Sequence, residues 1–177
     1  TRVPDPREAV CPVICCSLYT SDGQKKIIIL KRENEGIHIG NEQLPEGVAV
    51  EYFDTEENLI RAIFDILWEY PFIITFNGDD FDLRYLMHRA VNLGFQKYEI
   101  PIEVGKRVCL LKYGVHLDLY KFFYNRSIQI YAFSNRYRDV TLDDVGTALI
   151  GIEKIKLNKT FSEMSYSELA QYCYRDS

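Results

Sequence analysis

Residues 72–82 constrain the fold more than any other stretch of the chain. Phe72-Ile73-Ile74-Thr75-Phe76 is a short, continuous apolar run, the pattern of a strand covered on both faces. Asn77-Gly78 breaks it, and a helical pattern then runs from about Asp82 to Leu93. Just upstream, Leu59, Ile60, Ile63, Phe64 and Leu67 recur at helical spacing, and Pro71 ends them. Asp54 is placed to cap that helix, with Glu57 in capping-box register. Strand, tight loop and helix specify α/β architecture, with a site-forming loop at the carboxyl end of a buried strand.

The flanking segments fit around that unit. Pro12–Tyr19 and Lys26–Lys31 are β-rich runs separated by Thr20-Ser21-Asp22-Gly23, a hairpin signal. Residues 33–47 read as a loop, and a further strand is expected over about Val48–Phe53. Residues 94–112 read as irregular, broken by Pro101 and Gly105. Val115–Leu119 is expected to form a short strand followed by a helical turn through Tyr124. Thr141 caps a predicted helix stopping at Gly151, and Ser165 caps a last one carrying Leu169, Tyr172 and Cys173.

With 177 residues the chain fits one domain, or a piece of one, and can bury a core. The start Thr1-Arg2-Val3-Pro4-Asp5-Pro6 lacks Met and reads as the middle of a longer chain. Five Cys form no C-x-x-C pair and three His stand far apart, which argues against structural zinc and for free thiols in a reducing, cytoplasmic setting. No apolar run is long enough to span a bilayer. The net charge of −5 lacks the basic footprint usual in a DNA binder, although metal ions at a carboxylate site would supply positive charge. Thirteen Tyr and ten Phe mostly fill cores, with a few available as stacking platforms for bases. Lys25-Lys26, Lys106-Arg107 and residues 154–159 read as solvated basic faces.

Two groups of residues bear on chemistry. Asn77-Gly78-Asp79-Asp80-Phe81-Asp82 places three acids within four positions. Such crowding raises a pKa, is relieved by solvent, or holds a divalent cation. An acidic surface loop and a metal site both remain open on this stretch alone. Tyr172 and Asp176 stand at i and i+4, so on a helix their polar tips can converge, and a phenol there could orient a water. This spacing is also frequent by chance. Asp118 reads as a structural hydrogen-bonding residue, and Asp143-Asp144 as the acidic first turn of a helix.

Together, N-x-x-x-F-D at 77–82 and Y-x-x-x-D at 172–176 resemble the second and third exonuclease motifs of family-B DNA polymerases. These belong to the tyrosine branch of the DEDD exonucleases, and the likeness is greatest to archaeal members. Arg2-Val3-Pro4-Asp5-Pro6, Asn77–Tyr85, His116-Leu117-Asp118-Leu119-Tyr120 and the Leu142…Gly151 segment extend the resemblance over essentially all of 1–177. It implies a ribonuclease-H-like α/β fold, a mixed β-sheet flanked by helices. It also implies 3′–5′ proofreading hydrolysis of single-stranded DNA with two Mg²⁺ or Mn²⁺ ions. Asp82 and Asp176 would be metal ligands, Tyr172 would orient the water, and Asn77 and Phe81 would hold the 3′-terminal nucleotides.

The departures bear on activity. The family's first motif, D-I-E on a central strand, would precede Thr1, and no D-x-E triplet on a β-like run replaces it. Half of the usual carboxylates are thus missing, and weak or no nuclease activity is expected of the fragment. The sheet would lack its central first strand, exposing edges that a homodimer of the fragment could pair. Arg84 stands where the family often has proline and offers a phosphate contact. Asp176, one residue from Ser177, is expected on a fraying helix end. The polymerase domains of the same chain are the implied partners. The other readings are an inactive ribonuclease-H-like module, for binding single strands or for scaffolding between domains, and a stand-alone nuclease.

Overall fold

The computed structural model describes residues 3–32, 46–151 and 160–175. They form seven strands and five α-helices in the order β1(Cys15–Tyr19), β2(Lys25–Leu30), β3(Val48–Phe53), α1(Glu56–Glu69), β4(Phe72–Thr75), α2(Asp82–Asn92), β5(Ile102–Val104), β6(Cys109–Leu111), β7(Val115–Asp118), α3(Leu119–Tyr124), α4(Leu142–Ile150) and α5(Tyr166–Arg175). A π-helical turn, Ile128–Ala132, lies between α3 and α4. The contacts divide into two compact units, one of Thr1–Cys11 with Phe64–Glu153, the other of Pro12–Ile63 with Lys154–Ser177.

In the second unit, β1 and β2 pair antiparallel around the Thr20–Gln24 turn, where Gly23 takes φ +89°. β3 adds parallel to β2, giving a mixed three-stranded sheet. Helix α5 packs on it, burying Tyr166, Leu169, Ala170 and Cys173 against Ile27 and Ile29. Arg32 fixes the approach to that helix: its guanidinium donates to the Phe161 and Met164 carbonyls at 2.8 and 2.6 Å, and its N–H donates to the Tyr166 hydroxyl at 2.7 Å. Ser165 then closes a capping box. Its Oγ accepts from the Glu168 N–H at 3.1 Å, and the Glu168 carboxylate accepts from the Ser165 N–H at 2.8 Å.

The first unit holds two ladders, β4 parallel to β7 and β5 antiparallel to β6. α2 packs against β5, and Phe64 stacks edge-on against Phe95 with centroids 5.8 Å apart. The expectation that the 72–76 strand is covered on both faces is not met. Ile73, Thr75, His116 and Asp118 share the inner face of the β4–β7 ladder, but Phe72 and Ile74 on the other face are 64% and 60% exposed. A ladder two strands wide shields only one face here, and Val115 and Leu117 extend the apolar surface.

Elsewhere the expected elements are found with shifted details. Thr55 caps α1 in place of Asp54, accepting from the Asn58 N–H at 3.3 Å, because the Asp54 carboxylate is taken by Lys31 at 2.7 Å. The β5–β6 hairpin lies in the stretch expected to be irregular, since three-residue strands leave little periodicity to read. Of the predicted 33–47 loop, residues 33–45 lie outside the described residues, as does the basic stretch 154–159. No helix among the described residues is long and apolar enough to cross a membrane. Ser165→Ala is expected to destabilise the protein by about 1 kcal/mol through loss of the α5 cap, with Ser165→Asp close to neutral, measured by urea denaturation.

Candidate active site

The loop joining β4 to α2 is set by hydrogen bonds from its own backbone. Asn77 adopts φ +70°, a left-handed conformation that Asn tolerates better than most residues. Its N–H donates to Asp118 Oδ1 at 2.7 Å, and the Asp79 N–H donates to Asp118 Oδ2 at 3.2 Å. Asp118 also caps α3 through the Tyr120 N–H at 3.0 Å. One carboxylate therefore satisfies three backbone donors from two segments, the structural role expected of it. The Asn77 carbonyl accepts from the Phe81 N–H at 2.9 Å, and that of Gly78 from the Leu83 N–H at 3.0 Å, leading the chain into α2. Gly78 admits no side chain, since a Cβ there would lie 2.2 Å from Thr75 Oγ1.

The three loop acids meet three different environments. Asp79 is buried, and its carboxylate accepts from the Cys109 N–H and the Lys121 ammonium, with His116 Nδ1 3.3 Å away. Burial alone would raise its pKa, but the Cys109 N–H, Lys121 and His116 outweigh that and hold it below the ordinary carboxylate range. His116 is itself oriented, because Thr75 Oγ1 accepts from the Gly78 N–H at 3.1 Å and meets Nε2 at 2.7 Å. That arrangement lets the threonine donate to Nε2 while Nδ1–H faces Asp79. The crowding of acids is thus relieved inside the protein for Asp79, while Asp80 and Asp82 are exposed. Burial pushes the neighbouring Cys109 thiol up to about 11.

Asp82 opens α2, whose first turn favours a carboxylate through the helix dipole. Phe81 is partly buried, its ring 5.8 Å from that of Tyr85, and the Tyr85 hydroxyl donates to the Cys11 carbonyl at 2.6 Å. Arg84 donates to the carbonyls of Asp79 and Gly105, both at 3.1 Å, and so ties the loop to the β5–β6 turn. It also lines an open cleft of about 810 Å³ with Arg7, Asp80 and Lys106.

Asn77, Phe81 and Asp82 are thus brought together on one loop of the first unit. Tyr172 belongs to the second unit, on α5, with its ring 5.5 Å from Phe161. Asp176 lies outside the described residues. Among the described residues no group of three or more His, Cys, Asp or Glu is arranged to hold a metal ion. Lys121, Thr75 and Arg32, which fix these elements, carry no motif in the sequence, and His116 lies in a stretch of the resemblance without a role being legible there, because each acts across a distance that local spacing does not encode.

These features, small mixed ladders flanked by helices with an acidic loop between strand and helix, are those of a ribonuclease-H-like α/β fold. The family model for DNA polymerase family B, exonuclease domain, matches residues 1–134. The chain is 44% identical over 177 residues to DNA polymerase 1 of Saccharolobus solfataricus, covering 99% of this chain and 20% of that protein. It is 43% identical over 176 residues to DNA polymerase 1 of Sulfolobus acidocaldarius, again 99% and 20%. Against the DNA polymerase of Methanocaldococcus jannaschii it is 30% identical over 194 residues, covering 98% and 10%. The chain belongs to the exonuclease domains of family-B DNA polymerases, and it spans about one fifth of the length of the two DNA polymerase 1 relatives.

Asp79 gives the loop a defined acid sensitivity. Its folded pKa lies below that of an ordinary aspartate, so its contribution to stability is complete above the ordinary value and is lost as pH falls through the folded pKa. Urea midpoints between about pH 5 and 2 should fall less steeply in Asp79→Asn than in the unaltered chain. Equal slopes would place the acid sensitivity elsewhere.

Proposed function

We propose that residues 1–177 form one 3′–5′ exonuclease domain that proofreads for a family-B DNA polymerase. It would remove the 3′-terminal nucleotide of single-stranded DNA by a two-metal mechanism. The observation that carries this reading is the sorting of the loop acids. Asp79 is buried and Asp118 accepts backbone N–H groups of the loop, while Asp82 stands exposed on the first turn of α2. A carboxylate so presented is a hard oxygen donor of the kind Mg²⁺ and Mn²⁺ take.

With Asp176, Asp82 supplies half of a two-ion site, and the upstream D-x-E of the family would supply the rest. When bound, the ions would activate a water and neutralise the leaving oxygen. The chain's own residues have separate tasks. The Tyr172 phenol would hold the attacking water, Phe81 would stack on a terminal base, and Asn77 would donate to the strand. The apolar face of Phe72, Ile74, Val115 and Leu117 supports packing against further segments of a longer polymerase chain. The relatives are named as polymerases much longer than this chain, and that context is the reading taken here over self-association of two copies.

The test is cleavage of a 3′-labelled single strand with Mg²⁺, comparing this chain with one extended upstream by about 30 residues to carry a strand bearing the family's D-x-E. Activity in the extended form only is expected. There Asp82→Ala should lower the rate by more than about 100-fold, because even outer-shell changes at metal sites cost 10–100-fold. Tyr172→Phe should lower kcat by about 100-fold or more with KM little changed. Silence in both lengths would favour an inactive module for binding or scaffolding.

A further inference from the structure

Residues 119–138 stand apart from the rest of the chain. They hold four cations (Lys121, Arg126, Arg136, Arg138) and seven aromatic residues without a single Asp or Glu, in a protein of net charge −5. Their interior is firmly organised. The Phe123 ring lies 5.7 Å from Phe133 and 5.9 Å from Tyr137, and its carbonyl accepts from the Tyr137 hydroxyl at 2.9 Å and Gln129 Nε2 at 3.0 Å. Phe76, the residue before Asn77, joins this group through the rings of Tyr120 and Phe123, 5.9 and 6.5 Å away.

Over that interior the chain takes costly backbone conformations. After the π-helical turn, Ser134 and Asn135 adopt φ +52° and +55° in succession. Such outliers gather at functional sites. What the segment turns outward is aromatic and basic. Tyr131 is 86% exposed and Tyr124 66% exposed, the latter stacked on Tyr120 at 5.8 Å. Arg126, Arg136 and Arg138 are exposed in the same segment, and Arg136 and Arg138 meet no carboxylate among the described residues. Lys121 is the exception, held by Asp79.

We propose that this surface is a platform for single-stranded nucleic acid, on which bases stack against Tyr124 and Tyr131 while Arg126, Arg136 and Arg138 meet the phosphates. Every base offers a π-face, so the platform takes any sequence, and exposed rings over a rigid base cost little entropy on binding. Through Phe76 it adjoins the Asn77–Asp82 loop in the same unit, which suits the strand upstream of a 3′ end held there. The inference rests on reading the chain as acting on single strands. It assigns residues other than Asn77 and Phe81 to strand binding.

The test is fluorescence anisotropy of a labelled oligothymidylate of about 12 nucleotides with the 177-residue chain in EDTA, where binding is read without cleavage. Tyr124→Ala and Tyr131→Ala should each weaken binding about fivefold or more, and the double variant about 30-fold. Tyr131→Phe should bind like the unaltered chain. Tyr98→Ala, at an exposed tyrosine outside the segment, should have no effect. Arg136→Gln should lower the dependence of log affinity on log salt by about 0.7. Unchanged affinity in the folded double variant, or no binding by the unaltered chain, overturns the platform; unchanged affinity would point to a polypeptide as the surface's occupant. Cleavage by the extended protein is a separate readout. Its loss with tyrosine-dependent binding intact removes the exonuclease reading alone, and the converse removes the platform alone.

Discussion

The Asp118 carboxylate organises the candidate site from a distance. It ends β7 and reaches the loop that leaves β4, accepting the N–H groups of Asn77 and Asp79, and then caps α3 through Tyr120. A buried-side loop with unpaired N–H groups would cost about 1–3 kcal/mol for each. One ionised side chain removes three such costs, and hydrogen bonds to a charged acceptor are the stronger kind. With Asn77 held at φ +70° and Gly78 pressed against Thr75, the chain has one way to enter α2. That path turns Asp79 inward and leaves Asp82 outward. The division of labour among the acids is therefore a consequence of backbone geometry, set by Asn77, Gly78 and the Asp118 carboxylate.

Charge follows the same logic. A net charge of −5 suggests a surface that repels nucleic acid, but the average hides the distribution. Asp79 is neutralised in place by Lys121, and Asp82 sits where a helix N-terminus offsets its charge. Residues 119–138 contribute only cations, three of them exposed and distinct from the lysine held by Asp79. A strand could thus meet positive potential along its backbone while a hard cation meets carboxylate oxygens, within a chain whose overall negative sign suggests only the second.

Much of this was legible in the sequence wherever the signal was local. The Asp-Gly hairpin, the helical spacing of Leu59–Leu67, the Thr141 and Ser165 caps and the helix start at Asp82 all depend on residues within a few positions of each other, and all are present. Asp54 misled because its carboxylate is drawn off by Lys31, 23 residues away. The run at 72–76 misled because apolar composition reports what a strand could bury, whereas exposure depends on what packs against it. The π-helical turn and the paired left-handed residues at 134–135 have no pattern of their own, since neither uses glycine. Of the motif residues, Asn77, Phe81 and Asp82 were placed by the loop signal. Tyr172 depended on a family resemblance, for its spacing alone is common.

Tyr172 is nevertheless held as firmly as the loop residues, by other means. The Arg32 guanidinium grips the carbonyls of Phe161 and Met164, the Tyr166 hydroxyl takes the Arg32 N–H, and the Ser165–Glu168 box starts α5 at a fixed point. From there helical geometry sends Leu169 and Cys173 into the sheet and leaves Tyr172 beside Phe161 at the margin of the core. A phenol that is to orient a water needs this kind of support, because an error of an ångström in its placement costs orders of magnitude in rate. Each unit thus fixes its own motif residues by hydrogen bonds internal to that unit. Local order at Asp82 and at Tyr172 is set by these contacts within the chain.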